Sequence, residues 1–190
     1  LPGEERERAE RIAAPESRRR WTASRWALRS VLGRYLGEDP AAIELRTGGH
    51  GKPELALAPE RFDFNLSHSG DLALVAVAAG RQVGVDVERA ERDRDFLALA
   101  ERGLGPEGAT AVRAADPALR PAVFYAAWVR REALLKCFGG GLGNPAPRAP
   151  AAVADLDVGE GYAAALAVAG GAAPVVVQMT ISTADRQPRR

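Results

Sequence analysis

Apolar residues recur at helical spacing over residues 17–36. Trp21, Leu28, Val31, Leu32, Tyr35 and Leu36 share one side, with arginines around the other. The pattern predicts a helix that Gly37 and Pro40 end. A shorter charged helix is predicted over 4–13, and a short strand over 43–46 ahead of the glycine-rich loop 47–53. The spacing then changes to period two. Residues 62–66, 72–79 and 83–87 read as strands, with 67–71 and 80–82 as the turns between them. Helical spacing returns over 96–102 and 106–115. A long helix is predicted from Pro121 to about Phe138, with Phe124, Ala127, Trp128, Leu135 and Phe138 on its apolar stripe. Gly139-Gly140-Gly141 stops it, and 144–150 is a proline-rich connector. Residues 162–169 and 175–181 read as a terminal hairpin, and 185–190 as a frayed tail. Helix, strands, helix, strands is the order of an α+β protein. Two similar lobes are expected, residues 1–88 and 89–190, although no residue-level repeat is visible.

Composition narrows the classes. A chain of 190 residues with 46% apolar content can build a real core. Its net charge of +1 gives no overall polyanion-binding signal, so nucleic acid is not expected as a partner. Nine arginines nonetheless crowd the first 34 positions, which suggests a local anion site beside the plainer reading of a solvated helix face. Cys137 stands alone, which excludes an intrachain disulfide and a thiolate zinc cluster and fits a reducing, cytoplasmic setting. The charged start lacks a signal-peptide pattern. Residues 161–184 carry no charge before Asp185 and are long enough to raise the question of a membrane span. Alanine and glycine dominate them, Gly170-Gly171 and Pro174 interrupt them, and strands are predicted instead.

The chemistry concentrates in a few fragments. Along Val83-Gly84-Val85-Asp86-Val87-Glu88 the valines face one way, and Gly84, Asp86 and Glu88 the other. Two neighbouring carboxylates repel each other and call for a cation. Glu132, with Lys136 one helical turn on, would add a third carboxylate, and an all-oxygen set suits a hard ion such as Mg²⁺. Taken singly, each fragment reads better as a solvated strand end or a surface ion pair than as a metal site. Ser67-His68-Ser69 offers two hydroxyls and an imidazole to phosphate oxygens, and no serine-hydrolase elbow accompanies it. Gly51-Lys52-Pro53 holds a lysine in a loop that lacks the Walker spacing.

In order, Gly51-Lys52-Pro53, Phe64-Asn65-Leu66-Ser67-His68-Ser69, Gly84-Val85-Asp86-Val87-Glu88 and Trp128-x-x-Arg131-Glu132-Ala133-x-x-Lys136 resemble the 4′-phosphopantetheinyl transferases of the large surfactin-synthetase-activating type. The likeness extends over most of the chain. It implies a pseudo-dimer of two α+β lobes with coenzyme A in the cleft between them. The implied activity is transfer of the phosphopantetheine arm of coenzyme A to a serine of an acyl or peptidyl carrier protein, releasing adenosine 3′,5′-bisphosphate. By the same resemblance Asp86, Glu88 and Glu132 hold Mg²⁺, and Glu132 is the base for the carrier serine, directly or through a water. Lys136 and Lys52 neutralise phosphate charge, Ser67 and His68 bind coenzyme phosphates, and Arg20 and Arg8 approach the 3′-phosphate.

Three departures stand out. Arg131 replaces the family's usual lysine, Glu5 stands where a basic residue is common, and the strand ahead of the first helix has no counterpart. The last, with Leu1 in place of a methionine, points to a processed or missing N-terminus. A monomer is expected, since both lobes lie in one chain. The competing readings are a non-catalytic coenzyme A- or carrier-binding module and an unrelated magnesium phosphohydrolase.

Overall fold

A computed structural model describes residues 1–48, 51–56, 62–140 and 149–180. The chain forms two compact units: Leu1–Glu44 with the described residues from Pro174 onward, and Leu45–Ala173.

The first unit is helical. α1 is Gly3–Glu10 and α2 is Pro15–Leu36, which starts on a proline and ends at Gly37 in the left-handed conformation. Leu28, Leu32 and Ile43 are its most buried apolar side chains. Glu5 is buried with them because two arginines of α2 meet it. Arg29 donates to its Oε2 at 2.7 Å and Arg25 to its Oε1 at 2.8 Å, while a second Arg29 nitrogen reaches the carbonyls of Pro40 and Ile43. A basic residue at position 5 would face those two guanidinium groups with no compensating charge.

The second unit carries every described strand. β1 (Leu45–Thr47) pairs antiparallel with β2 (Pro53–Leu55). β3 (Phe62–Ser69) and β4 (Leu72–Ala79) form a hairpin in register from Phe62↔Ala79 to Ser69↔Leu72. β5 (Val83–Arg89), β6 (Ala151–Asp155) and β7 (Tyr162–Ala169) make a three-stranded antiparallel sheet in the order β5-β7-β6. Helices α3 (Phe96–Gly103), α4 (Gly105–Ala114) and α5 (Arg120–Cys137) complete the unit. The α+β class expected from the sequence is the class observed.

Two expectations are corrected. Ser67-His68-Ser69 is not a turn: β3 runs through it. Serine clusters signal turns, but here the alternation Asp63, Asn65, Ser67, Ser69 continues at period two to the end of the strand. The terminal hairpin is also not formed. β7 already has β5 on one side and β6 on the other, so it offers no free edge, and residues 174–180 are not in a strand. Ile181 and the tail lie outside the described residues, as do Gly49, His50 and Gly141. β6 was not anticipated at all. Its five residues, Ala-Ala-Val-Ala-Asp, carry only one β-branched side chain, so their propensity is weak.

α5 packs directly on β5 and β7, and small residues make this close approach feasible. Ala165 and Ala167 of β7 meet Val129, Ala133 and Cys137 of the helix. At Gly84 even a methyl group would not fit: a Cβ there would come within 3.0 Å of the Ala133 carbonyl oxygen and of the Cys137 backbone. The alanine run that raised the membrane question is thus a helix-packing surface, and no described helix is long and apolar enough to cross a membrane. Val83 and Val85 face away from α5 and join Leu166 and Val168 in a separate apolar cluster. Phe96, Phe124 and Tyr125 close the other end of α5, with Trp128 stacked on Phe124.

Candidate active site

β5 is an edge strand. One side pairs with β7, and the other would leave a row of backbone N–H groups unsatisfied. β3 supplies the missing acceptors from its side chains. Asp63 accepts from Val83 N–H at 2.8 Å, Asn65 from Val85 at 2.9 Å, Ser67 from Val87 at 3.3 Å and Ser69 from Arg89 at 3.0 Å. Every acceptor lies twenty residues before its donor, so the two strands run in the same direction. Short polar side chains at every second position of β3 therefore act as the ladder between the strands. The polar face of β5 is left to face α5.

On that face Asp86, Ser67 and Lys136 meet. Asp86 is buried at 3% exposure, and its Oδ1 accepts from Ser67 Oγ at 2.9 Å and from Lys136 Nζ at 2.5 Å. Lys136 Nζ also donates to Ser67 Oγ at 3.0 Å. Asp86 Oδ2 is buried with no hydrogen-bond partner among the described residues. Glu88 Oε2 accepts from Ser69 Oγ at 2.8 Å, and Trp128 donates to the same carboxylate. Glu132, 8% exposed, is contacted by Arg131 at 3.2 Å.

The electrostatics follow from this crowding. Burial pushes the proton affinity of Glu132 up, and the nearby Asp86 charge adds to it. Glu88 is also pushed up by burial and by Asp86, against the pull of its Ser69 hydrogen bond. Carboxylates that resist ionisation beside one another, with one buried oxygen left unsatisfied, form a donor set suited to a hard divalent cation. The residues fit such an ion chemically, but they are not drawn into a finished cage. Among the described residues no three His, Cys, Asp or Glu side chains gather as a metal-ligand cluster. Lys136 supplies the cation nearest Asp86 instead.

Other expected residues lie elsewhere. Lys52 is at the opposite end of β3, paired with Asp63 at 3.3 Å, four strand residues or about 13 Å from Ser67. It lines a cavity of about 520 Å³ with Asp63, Arg81, Cys137, Phe138 and Gly139. His68 keeps part of its surface in solvent, while the desolvation of the rest and the Lys136 charge lower its basicity. Arg8 and Arg20 belong to the helical unit, where Arg8 lies over the Trp21 ring at 5.7 Å and Arg20 meets Glu16 at 3.1 Å. Sequence reasoning missed the structural work of Asp63, Asn65 and Ser69. Their period-two spacing through Ser69 was the available signal.

Comparison with known proteins identifies the family. Residues 82–179 match the model of the 4′-phosphopantetheinyl transferase superfamily, and residues 1–80 match that of the 4′-phosphopantetheinyl transferase N-terminal region. The chain belongs to the 4′-phosphopantetheinyl transferase superfamily. It is 40% identical over 144 residues to the 4′-phosphopantetheinyl transferase HetI of Nostoc sp., covering 75% of this chain and 61% of that protein. It is 35% identical over 163 residues to a phosphopantetheinyl transferase of Thraustochytrium sp., covering 78% and 56%. To a 4′-phosphopantetheinyl transferase of Bacillus subtilis it is 29% identical over 145 residues, covering 76% and 63%. The matched part thus spans about three fifths of the length of these relatives.

Proposed function

We propose that this chain carries phosphopantetheinyl transfer from coenzyme A to a serine of an acyl or peptidyl carrier protein. The observation that supports it most is the buried Oδ2 of Asp86, without a hydrogen-bond partner among the described residues, in a carboxylate whose charge also acts on Glu88 and Glu132. Asp86, Glu88 and Glu132 are the residues that would hold Mg²⁺. When bound, the ion would neutralise the pyrophosphate and stabilise the departing bisphosphate.

The chain's own groups take the remaining roles. Lys136, linked to Ser67, presents an ammonium to the pyrophosphate, and its tie to Asp86 keeps it aimed. The carrier serine oxygen forms a bond to the phosphorus that bears the pantetheine arm. The bond from that phosphorus to the oxygen of adenosine 3′,5′-bisphosphate breaks, and the leaving group keeps the electron pair. The serine proton passes to Glu132, directly or through a water; a cation held by Glu132 would lower its basicity, which favours the route through water. Lys52 and His68 are proposed further along the coenzyme phosphates. Arg8 and Arg20 are assigned to the 3′-phosphate on the resemblance alone.

Within the superfamily we propose the large, two-lobed type, with lobes at 1–88 and 89–190. The two family models adjoin between residues 80 and 82, ahead of β5 and a few residues before that boundary. The proposed setting is a cytoplasmic monomer. A binding module without transfer activity is the second reading, favoured by the Lys136–Asp86 pair standing where a metal contact is proposed. The test is incubation with coenzyme A, Mg²⁺ and apo carriers of fatty-acid, polyketide and peptide systems. Mass spectrometry should find one carrier heavier by a single phosphopantetheine arm. Coenzyme A binding by calorimetry with every carrier unmodified would instead establish the module.

A further inference from the structure

Ser67 and Ser69 repeat one arrangement. Each hydroxyl accepts the backbone N–H twenty residues ahead and donates to the carboxylate nineteen ahead: Ser67 to Val87 and Asp86, Ser69 to Arg89 and Glu88. A hydroxyl has one proton to give. With N–H bonds at 3.3 and 3.0 Å behind each oxygen, that proton is turned toward a carboxylate and not toward solvent. The arrangement ties one oxygen of each acid to β3. For Asp86 the second oxygen is the buried one without a hydrogen-bond partner among the described residues. Glu88 is longer and half-buried, so it needs more restraint. It receives Ser69 from β3 and Trp128 from α5.

We infer that Ser69 is a positioning residue. Its hydroxyl, anchored on the Arg89 N–H, holds Glu88 in the orientation in which the acid serves the divalent cation, and it makes no contact with coenzyme phosphate. This rests on the proposed reading of Asp86, Glu88 and Glu132 as metal ligands. Groups that orient a metal-binding side chain act on metal affinity, commonly by about 10–100-fold. A phosphate contact acts on coenzyme affinity. The two roles therefore separate in measurement.

The experiment compares the full chain with Ser69→Ala and Ser69→Thr. Mn²⁺ binding is followed by the electron paramagnetic resonance signal of the free ion, and coenzyme A binding by calorimetry with divalent metal chelated. Ser69→Ala should weaken Mn²⁺ binding by about 10-fold. Ser69→Thr, which keeps the hydroxyl on a strand-favouring residue, should restore it to within about 2-fold. Coenzyme A binding without metal should be the same in all three. Unchanged Mn²⁺ affinity in Ser69→Ala overturns the inference, as does a failure of threonine to rescue. A fall in coenzyme A affinity in chelator makes Ser69 a phosphate contact and also overturns it. A wild-type chain that binds no Mn²⁺ refutes the metal reading itself, and the inference falls with it.

Discussion

Replacing Gly84 with alanine tests the route from sequence to site most directly. The added Cβ would lie within 3.0 Å of the Ala133 carbonyl oxygen, the Cys137 nitrogen and the Cys137 Cα. All three are helix backbone, so no side-chain rotation can relieve the clash. Non-bonded atoms settle at about 3.5–4.0 Å, so α5 has to withdraw by on the order of 1 Å. Overpacking of this kind costs roughly 1–3 kcal/mol. The same withdrawal carries Lys136, 2.5 Å from Asp86, and Glu132 away from β5. A 1 Å misplacement of reacting groups can cost about 100-fold in rate. Urea unfolding and carrier modification, measured on the same preparation, should show both effects. The loss of turnover should exceed what the unfolded fraction accounts for. If Gly84→Ala keeps wild-type stability and transfer rate, α5 does not rest on β5 as described, and the derivation of the site is wrong.

The remaining predictions concern charge. Asp86→Asn removes the charge of the most buried carboxylate at nearly constant volume. Transfer should fall by about 100-fold or more, the equivalent of some 3 kcal/mol, while the circular dichroism spectrum stays native. Lys136→Met leaves Asp86 buried without its cation and should destabilise the chain by about 1–3 kcal/mol, less than for a fully buried pair because Lys136 reaches solvent. Millimolar Mg²⁺ should then raise its melting temperature more than it raises that of the wild type, and an equal rise in both would separate the ion from Asp86. Burial alone would raise the pKa of Glu5, but its bonds to Arg29 and Arg25 outweigh this and hold it below the ordinary 4.5. A depressed folded value means the contribution is complete above the unfolded pKa and disappears as pH falls through the folded one. The urea midpoint should therefore show a loss on acidification below about pH 4.5 that Glu5→Gln lacks; the same loss in both would assign it to other groups.

Much of this was legible in the residues. The alternation of valine with Gly84, Asp86 and Glu88 gave the correct faces of β5, because a strand has only two. The helical spacing of Phe124, Trp128, Glu132 and Lys136 correctly put the last two on one strip of α5. What misled was Ser67-His68-Ser69, where turn-favouring residue types continued a strand, and residues 151–155, where alanine hid one. Both errors concern β-structure, whose formation depends on partners distant in sequence.

By itself the sequence determined the local periods, the kinds of chemical group available and their order along the chain. These depend on stereochemistry and on contacts a few residues apart. Only the tertiary structure decided that β3 reaches β5 through side chains, so that Ser67 and Ser69 point inward. It also decided that Lys136 meets Asp86 while Lys52 meets Asp63 at the far end of the strand. Hydrogen bonds and Coulomb attraction act over a few ångströms in space, whereas these partners lie 11 to 50 residues apart in the chain.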